Sequence, residues 1–496
     1  MPAVPIGHGA RPSRAKVQPA KPYVTGAAAG LTATALSLVA GFGNLWLLTQ
    51  ILTKEQFAGY VFVATLLTWL GLIGTAGLDR TILYRLSRVD AAPGDLVGGP
   101  LVAAALIIVV PVSAALAGVV VLGTSVGDLE HLPGLAFWLA VLAPLVVTTC
   151  LGRVFEAWFW ARSRIAPSVL VPASGDIART AGLAAVFFVL PTKVGVAVAV
   201  VVAALVPLLV WSTIAPLGAL RRPSRIGRQD LEYGVKAMLG RTATEGVHQL
   251  DILLVGVLAT AAATADYAVA VRLAALVGLV KGLLAPVLTP RLGRYSAAGS
   301  REVLLREYNQ VRLLGLAGAL VTAALFAAVG RSVLAFFGDY RQSYSLLMIL
   351  AAGHVASAGF GANAAFLTIA GHAGWMLAAR LALLAAVGGL CWVLIPLMGA
   401  AGAALSLALG IAAVNVLMCS IIWRVDRLPT ISPGLVILTG AAYALLLLAG
   451  FNALSGLVAA LALASLAGVL LVAHSPAWLP PARRLFGREP RVKVTE

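Results

Sequence analysis

Apolar residues in this chain come in long runs, separated by short stretches rich in Arg, Lys, Pro and Gly. A run of about 20 such residues has no polar face to offer water, and at a rise of about 1.5 Å per residue it crosses the hydrocarbon core of a bilayer. Inside lipid the backbone must satisfy its own hydrogen bonds, so each run predicts a helix. Reading the runs between charged or Pro/Gly breaks predicts spans at 23–52, 56–78, 97–123, 133–151, 168–190 and 194–220. The second half predicts 237–259, 264–290, 311–337, 342–370, 374–398, 400–424, 432–452 and 454–474. The chain therefore reads as an all-α polytopic membrane protein with about 14 transmembrane helices.

The basic residues test that count, because Lys and Arg accumulate in short loops on the cytoplasmic side. With the N-terminus inside, 27 of the 36 Lys and Arg fall in inside segments, while the outside loops hold Lys54, Lys193, Arg331 and Arg341. One missed or invented helix would invert every later loop. Both termini are accordingly expected in the cytoplasm, as basic tails over 1–22 and 475–496.

Composition agrees: 60% of residues are hydrophobic and 11% charged, against about 25% charged in a soluble protein. The net charge of +17 does not mark a nucleic-acid-binding protein, since the cations lie scattered through short loops and form no basic domain. They fit contact with membrane lipid. Cys150, Cys391 and Cys419 sit inside apolar runs without CxxC or Cys/His spacing, so neither a disulfide framework nor a metal site is predicted. The sequence contains no GxxxxGK[ST], no HExxH and no GxSxG in a strand-turn-helix setting. No cofactor and no enzymatic activity are expected, and the energy for any transport would come from a proton or sodium gradient or from polymer assembly.

The chain also repeats itself. The turn between the first two spans, LLTQILTKEQFAGYVFV, aligns with ILLVGVLATAAATADYAVAV between the seventh and eighth, pairing Tyr60 with Tyr267. Both second helices end in RLxR, at Arg85–Arg88 and Arg291–Arg294. The match pairs spans of the same orientation and predicts two six-helix lobes, 23–220 and 237–424, joined by a linker at 221–236 and followed by an additional pair at 432–474. Repeated helical lobes with a site between them are a recurring transporter plan.

The stretch Leu250–Tyr295 resembles the bacterial polysaccharide transporters, in which an Asp opens an apolar run, a Tyr starts the next helix, Ala-x-x-Arg follows, and a Pro precedes a basic helix end. Asp251, Tyr267, Arg272 and Pro290 match that pattern. The segment VLIPLMGAAGAALSLALG at 393–410 resembles the same family's eleventh-to-twelfth helix turn, and LTKEQFAGYVFVATLL its first hairpin. The family lies in the multidrug/oligosaccharidyl-lipid/polysaccharide exporter superfamily. The resemblance implies two lobes, alternating access, a place in the bacterial inner membrane, and a flippase that exports lipid-linked oligosaccharide in concert with polysaccharide assembly proteins. The chain departs from the pattern at Asp266, where the family carries Gly, and in the two helices beyond the twelve-helix core.

Ionisable groups at bilayer depth cost about 2.5–3.5 kcal/mol each on insertion scales, so they tend to face an interior or a wet cavity. Asp176 and Arg179 are i,i+3 neighbours in the fifth span, fitting either a structural pair or a cavity role. In the seventh, Arg241, Glu245, His248 and Asp251 share an arc of roughly 120°, with His248 and Asp251 as the coupling candidates beside the i,i+4 pair Arg241 and Glu245. In the eighth, Arg272 and Lys281 fall on opposite faces; Arg272 suits a pyrophosphate, and Lys281 suits snorkelling toward an interface, as does Arg380. Asn44 and Gln50 could line the same cavity or bond between helices. Counted together, Arg179, Arg241, Arg272, Lys281 and Arg380 nearly balance Asp176, Glu245, Asp251 and Asp266, so no cationic chamber follows from the sequence. A lipid-linked peptidoglycan precursor flippase and a cation-coupled multidrug exporter are the alternatives. A membrane glycosyltransferase would need a large outer loop, and the outer loops are mostly short.

Overall fold

A computed structural model describes residues 21–87, 98–123, 132–162, 164–215, 223–284, 301–369, 372–426 and 433–473. The basic tails (from residue 21 onward excepted), Arg88, Pro290, Arg291 and Arg294 lie outside these residues. The described chain is almost wholly helical. The N-terminal helices are α1 (Lys21–Ile51), α2 (Lys54–Ile73), α3 (Leu78–Leu86), α4 (Gly99–Leu122), α5 (Leu135–Leu142), α6 (Leu145–Ala161), α7 (Ile165–Val189) and α8 (Lys193–Ile214). After the linker come α9 (Arg228–Leu258), α10 (Ala261–Ala274), a 3-10 segment (Ala275–Gly278) and a short α11 (279–284). The remainder are α12 (Arg301–Phe336), α13 (Tyr344–Phe360), α14 (Asn363–Ile369), α15 (Ala373–Met398), α16 (Ala400–Asp426), α17 (Pro433–Gly450) and α18 (Gly456–Ala473).

Among the described residues, 11 helices are long and apolar enough to cross a membrane, or 12 when the α5–α6 pair, bent by 42°, is one span. Within the described residues, each of the 14 runs read from the sequence falls on a helix or a broken helix. The difference lies in α9, whose first half is charged, and α18, whose apolar stretch Gly456–Leu471 is short.

Local chemistry explains where the helices begin. Thr53 caps α2 in a capping box with Gln56, while Thr192 and Thr260 accept the third backbone N–H of α8 and α10. Between α15 and α16 the turn depends on Gly399, at φ +60°, and on Gly402, where a Cβ would lie 2.2 Å from the Leu394 carbonyl oxygen. That close approach explains the glycines of the MGAAGAA stretch.

Burial sorts the helices. In α2 every residue from Phe57 to Val63 is buried, as are Thr264–Ala270 of α10 and most of α13. By contrast α4, α8 and α15 turn Ile107, Leu122, Leu209, Trp392 and Leu397 outward, a surface suited to lipid. α1 packs on α7, α7 on α8, and α6 against α4, α7 and α8; after the linker, α15 and α13 pack on α16. α17 and α18 rest chiefly on α13 and α12. Across the chain's midpoint α2 meets both α9 and α10, and α3 meets α9. The α1–α2 turn and the start of α10 mark one end of the bundle, the hairpin end; α3 and the start of α9 mark the other, the linker end.

Candidate functional site

The interior groups separate into four places. The first joins α3, α6 and α9 toward the linker end. Arg241 Nε donates to Glu245 Oε1 at 2.6 Å and Nη1 to Asp79 Oδ2 at 3.1 Å. Asp79 also accepts from Thr75 Oγ1 at 3.2 Å and lies 3.6 Å from Arg80. Arg153 and Glu156 of α6 act electrostatically on the same cluster. Beyond it, Arg85 pairs with Asp230 at 3.0 Å, Thr81 donates to the Asp230 carbonyl at 3.0 Å, and Tyr84 stacks on Tyr233 at 4.4 Å. Gly77, at φ +71°, brings the turn so close to α9 that a Cβ there would lie 1.9 Å from the Gly234 oxygen.

The second place is on α7, where it packs on α1, and on α10. Arg272 of α10 and Arg179 of α7 influence each other electrostatically, and Tyr60 of α2 acts on Arg272. Neither guanidinium has an ion-pair partner among the described residues. Asp176, one turn before Arg179, is beyond ion-pair distance of it, so the structural pair suggested by their spacing does not form. Arg179 Nε is buried without a hydrogen-bond partner, as is Asn44 Oδ1 on the adjoining α1. Buried donors without acceptors also occur at Trp69 Nε1 on α2, Arg153 Nη1 on α6 and Thr242 Oγ1 on α9. Each such atom costs about 1–3 kcal/mol until an acceptor reaches it.

The third place is inside the C-terminal helices. Asp251 is fully buried and accepts a 2.8 Å hydrogen bond from Tyr267 Oη on its Oδ2, while its Oδ1 takes the Ile252 N–H. Asp251 thus faces α10, while Glu245 bonds Arg241 beside Asp79 of α3 and Arg153 of α6, so these two members of the arc serve different neighbours. The side chain of His248 lies outside the described residues. Lys281 donates from Nζ to the Ser357 carbonyl and hydroxyl oxygens, both at 2.7 Å, which ties α11 to α13. The 3-10 segment lies between it and Arg272, and the two cations face different ways. The fourth place is the hairpin end, where Lys54 bridges to Asp266 and Asp339 at 3.1 and 3.5 Å. Trp46 donates to the Phe336 carbonyl and stacks on its ring, and exposed Gln50 lies near Gly338.

Asp79, Glu156, Arg153 and Lys54 were not among the candidates read from the sequence. Asp79 falls just past the second run, and Arg80, Arg153 and Lys54 count there as loop cations. The signal available was the TAGLD stretch at 75–79, where glycine and a carboxylate interrupt an apolar run.

The fold and these interior charges define a multi-pass, all-helical membrane-protein architecture. No family model and no curated protein matches the sequence. Among solved structures, the chain is similar to the lipid II flippase MurJ in an inward closed conformation, with a TM-score of 0.68 at 12% identity over 91% of this chain and 99% of that one. It is also similar to an inward-facing multidrug resistance MATE transporter of the MOP superfamily, with a TM-score of 0.66 at 14% identity over 81% and 98%. A MOP superfamily transporter from Pyrococcus furiosus follows the same fold, with a TM-score of 0.56 at 14% identity over 82% and 95%. At such identities the likeness establishes the fold alone, which this chain shares with these transporters.

Proposed function

We propose that this chain is a flippase that moves a polyprenyl-pyrophosphate-linked oligosaccharide across the bacterial inner membrane for surface or exopolysaccharide assembly. The helices before and after the linker form two lobes, with both termini cytoplasmic, that rock about a central chamber. The observation that carries this reading is that Arg179 and Arg272, one from each side of the linker, act on each other electrostatically, and neither has an ion-pair partner among the described residues. Two guanidiniums sharing a low-dielectric site repel each other unless an anion lies between them. A pyrophosphate meets that need with several oxygens in bidentate geometry. The unfilled donors of Trp69, Arg153 and Thr242 suit the acceptors of a sugar chain, and the polyprenyl tail stays in lipid. Asp251 is the coupling candidate, held by Tyr267.

One observation favours a second reading, a lipid-linked peptidoglycan precursor. The similarity to the lipid II flippase spans 91% of the chain and that to the MATE transporter 81%. The difference is about 50 residues in a chain of 496. Depletion decides between the two: loss of wall synthesis supports the precursor, and loss of surface polymer alone supports the oligosaccharide. In either case Arg179→Gln and Arg272→Gln should leave the lipid-linked intermediate on the cytoplasmic leaflet at normal protein levels. Unchanged export in both variants refutes the chamber.

A further inference from the structure

The two ends of the bundle close by different chemistry. At the linker end each carboxylate in the contact keeps a partner on its own side. Asp79 stays beside Arg80 within α3, Glu245 beside Arg241 within α9, and Asp230 goes on accepting the Gly227 N–H that begins α9, at 3.0 Å. Parting α3 from α9 therefore strands none of them.

The hairpin end is built the other way. Lys54 opens α2, but both of its ion-pair partners, Asp266 of α10 and Asp339 of the α12–α13 turn, lie beyond the linker, as does the Tyr340 ring 4.9 Å from Nζ. Asp266 has one further partner, the neutral Gln342 Nε2 at 3.1 Å. The charges of Glu55 and Arg341 nearby are exposed. Separating the two sides would leave Lys54 and Asp266 each without its counter-ion, and breaking a partly buried pair is costly for that reason. The two arms are unequal. The Lys54 and Asp266 side chains are 20% and 12% exposed, whereas that of Asp339 is 93% exposed, where solvent screening leaves little net attraction.

We propose that Lys54 is a latch: one ammonium from α2, seated on Asp266, holds the hairpin end shut, and this contact must break for that end to open. The inference rests on the alternating-access reading only in that the ends open.

The test is a distance measurement by double electron–electron resonance on the full chain in detergent. Cys150, Cys391 and Cys419 are buried, so spin labels report introduced cysteines. The hairpin-end pair is Glu55→Cys with Arg341→Cys, and the linker-end pair is Ser87→Cys with Arg228→Cys. Lys54→Met and Asp266→Asn should each raise the long-distance population at the hairpin end about tenfold, with the linker-end distances unchanged. Asp339→Asn should change it less than about twofold, and the exchange Lys54→Asp with Asp266→Lys should restore the short distance. Unchanged hairpin-end distances in Lys54→Met and Asp266→Asn, an equal effect of Asp339→Asn, or an exchange that stays open would overturn the latch. No substrate is used, so a negative result here leaves the anion chamber standing, and a failed export assay leaves the latch standing.

Discussion

A methyl group added at Gly77 separates two costs that usually come together. Gly77 is the N-cap of α3 at φ +71°, and Gly134 is the N-cap of α5 at φ +78°. Alanine at either site must hold a left-handed conformation, which costs about 1–2 kcal/mol for an L-residue. At Gly134 nothing lies within 4 Å of the new Cβ, so the cost stops there. At Gly77 the Cβ would lie 1.9 Å from the Gly234 oxygen and 2.3 Å from its carbonyl carbon. Backbone cannot rotate away as a side chain can, so the turn and α9 must move apart by more than about 1 Å to regain van der Waals contact. That movement also loosens the Tyr84–Tyr233 stack and the Arg85–Asp230 and Arg241–Asp79 bonds. The expected total for Gly77→Ala is about 3 kcal/mol or more, among the larger effects of single substitutions, against about 1–2 kcal/mol for Gly134→Ala. Each difference of about 1.4 kcal/mol is tenfold in an equilibrium, so the linker-end labels at positions 87 and 228 should report at least a tenfold more open population in Gly77→Ala alone. Thermal unfolding in detergent should rank the two variants in the same order. Equal melting temperatures and equal label distances in both would refute the argument that this contact closes the linker end.

Other substitutions probe the remaining places. Asp251→Asn keeps an oxygen for Tyr267 to donate to, so the variant should fold and reach the membrane at normal levels yet lose gradient-driven export; export at the wild-type rate would make Asp251 a packing residue. Lys281→Met removes two hydrogen bonds to Ser357 and should lower stability by about 1–3 kcal/mol while leaving substrate binding unchanged, as thermal shift and a binding assay would show. Thr53→Ala breaks the capping box of α2 and should cost about 1 kcal/mol, seen as faster hydrogen exchange over the first turn of α2.

How much was written in the sequence differs between helices and site. Helix positions were legible because a bilayer imposes one rule on every segment: a run long enough to cross must be apolar and must close its own backbone hydrogen bonds. The broken spans were harder. The bend between α5 and α6 falls at Ala143–Pro144, where proline has no N–H to continue the helix, whereas the 3-10 segment after Arg272 holds no proline. The MGAAGAA turn was visible as a motif, but only the approach of Gly402 to Leu394 says why it cannot change.

Charge makes the division sharper. The sequence by itself determined that ionisable residues lie within apolar runs, and in nearly equal numbers of each sign, which on a tally argues against a cationic chamber. The tertiary structure decided how those charges are shared out. Asp251 is turned to Tyr267, Asp266 is held by Lys54, and Glu245 is bonded to Arg241. Arg179 and Arg272 act on each other electrostatically, and among the described residues no carboxylate pairs with either. Composition sums charges over the chain, while electrostatic energy falls with distance and rises as the dielectric drops. Only the packing of helices far apart in sequence brings the distances that settle which charges pair and which do not.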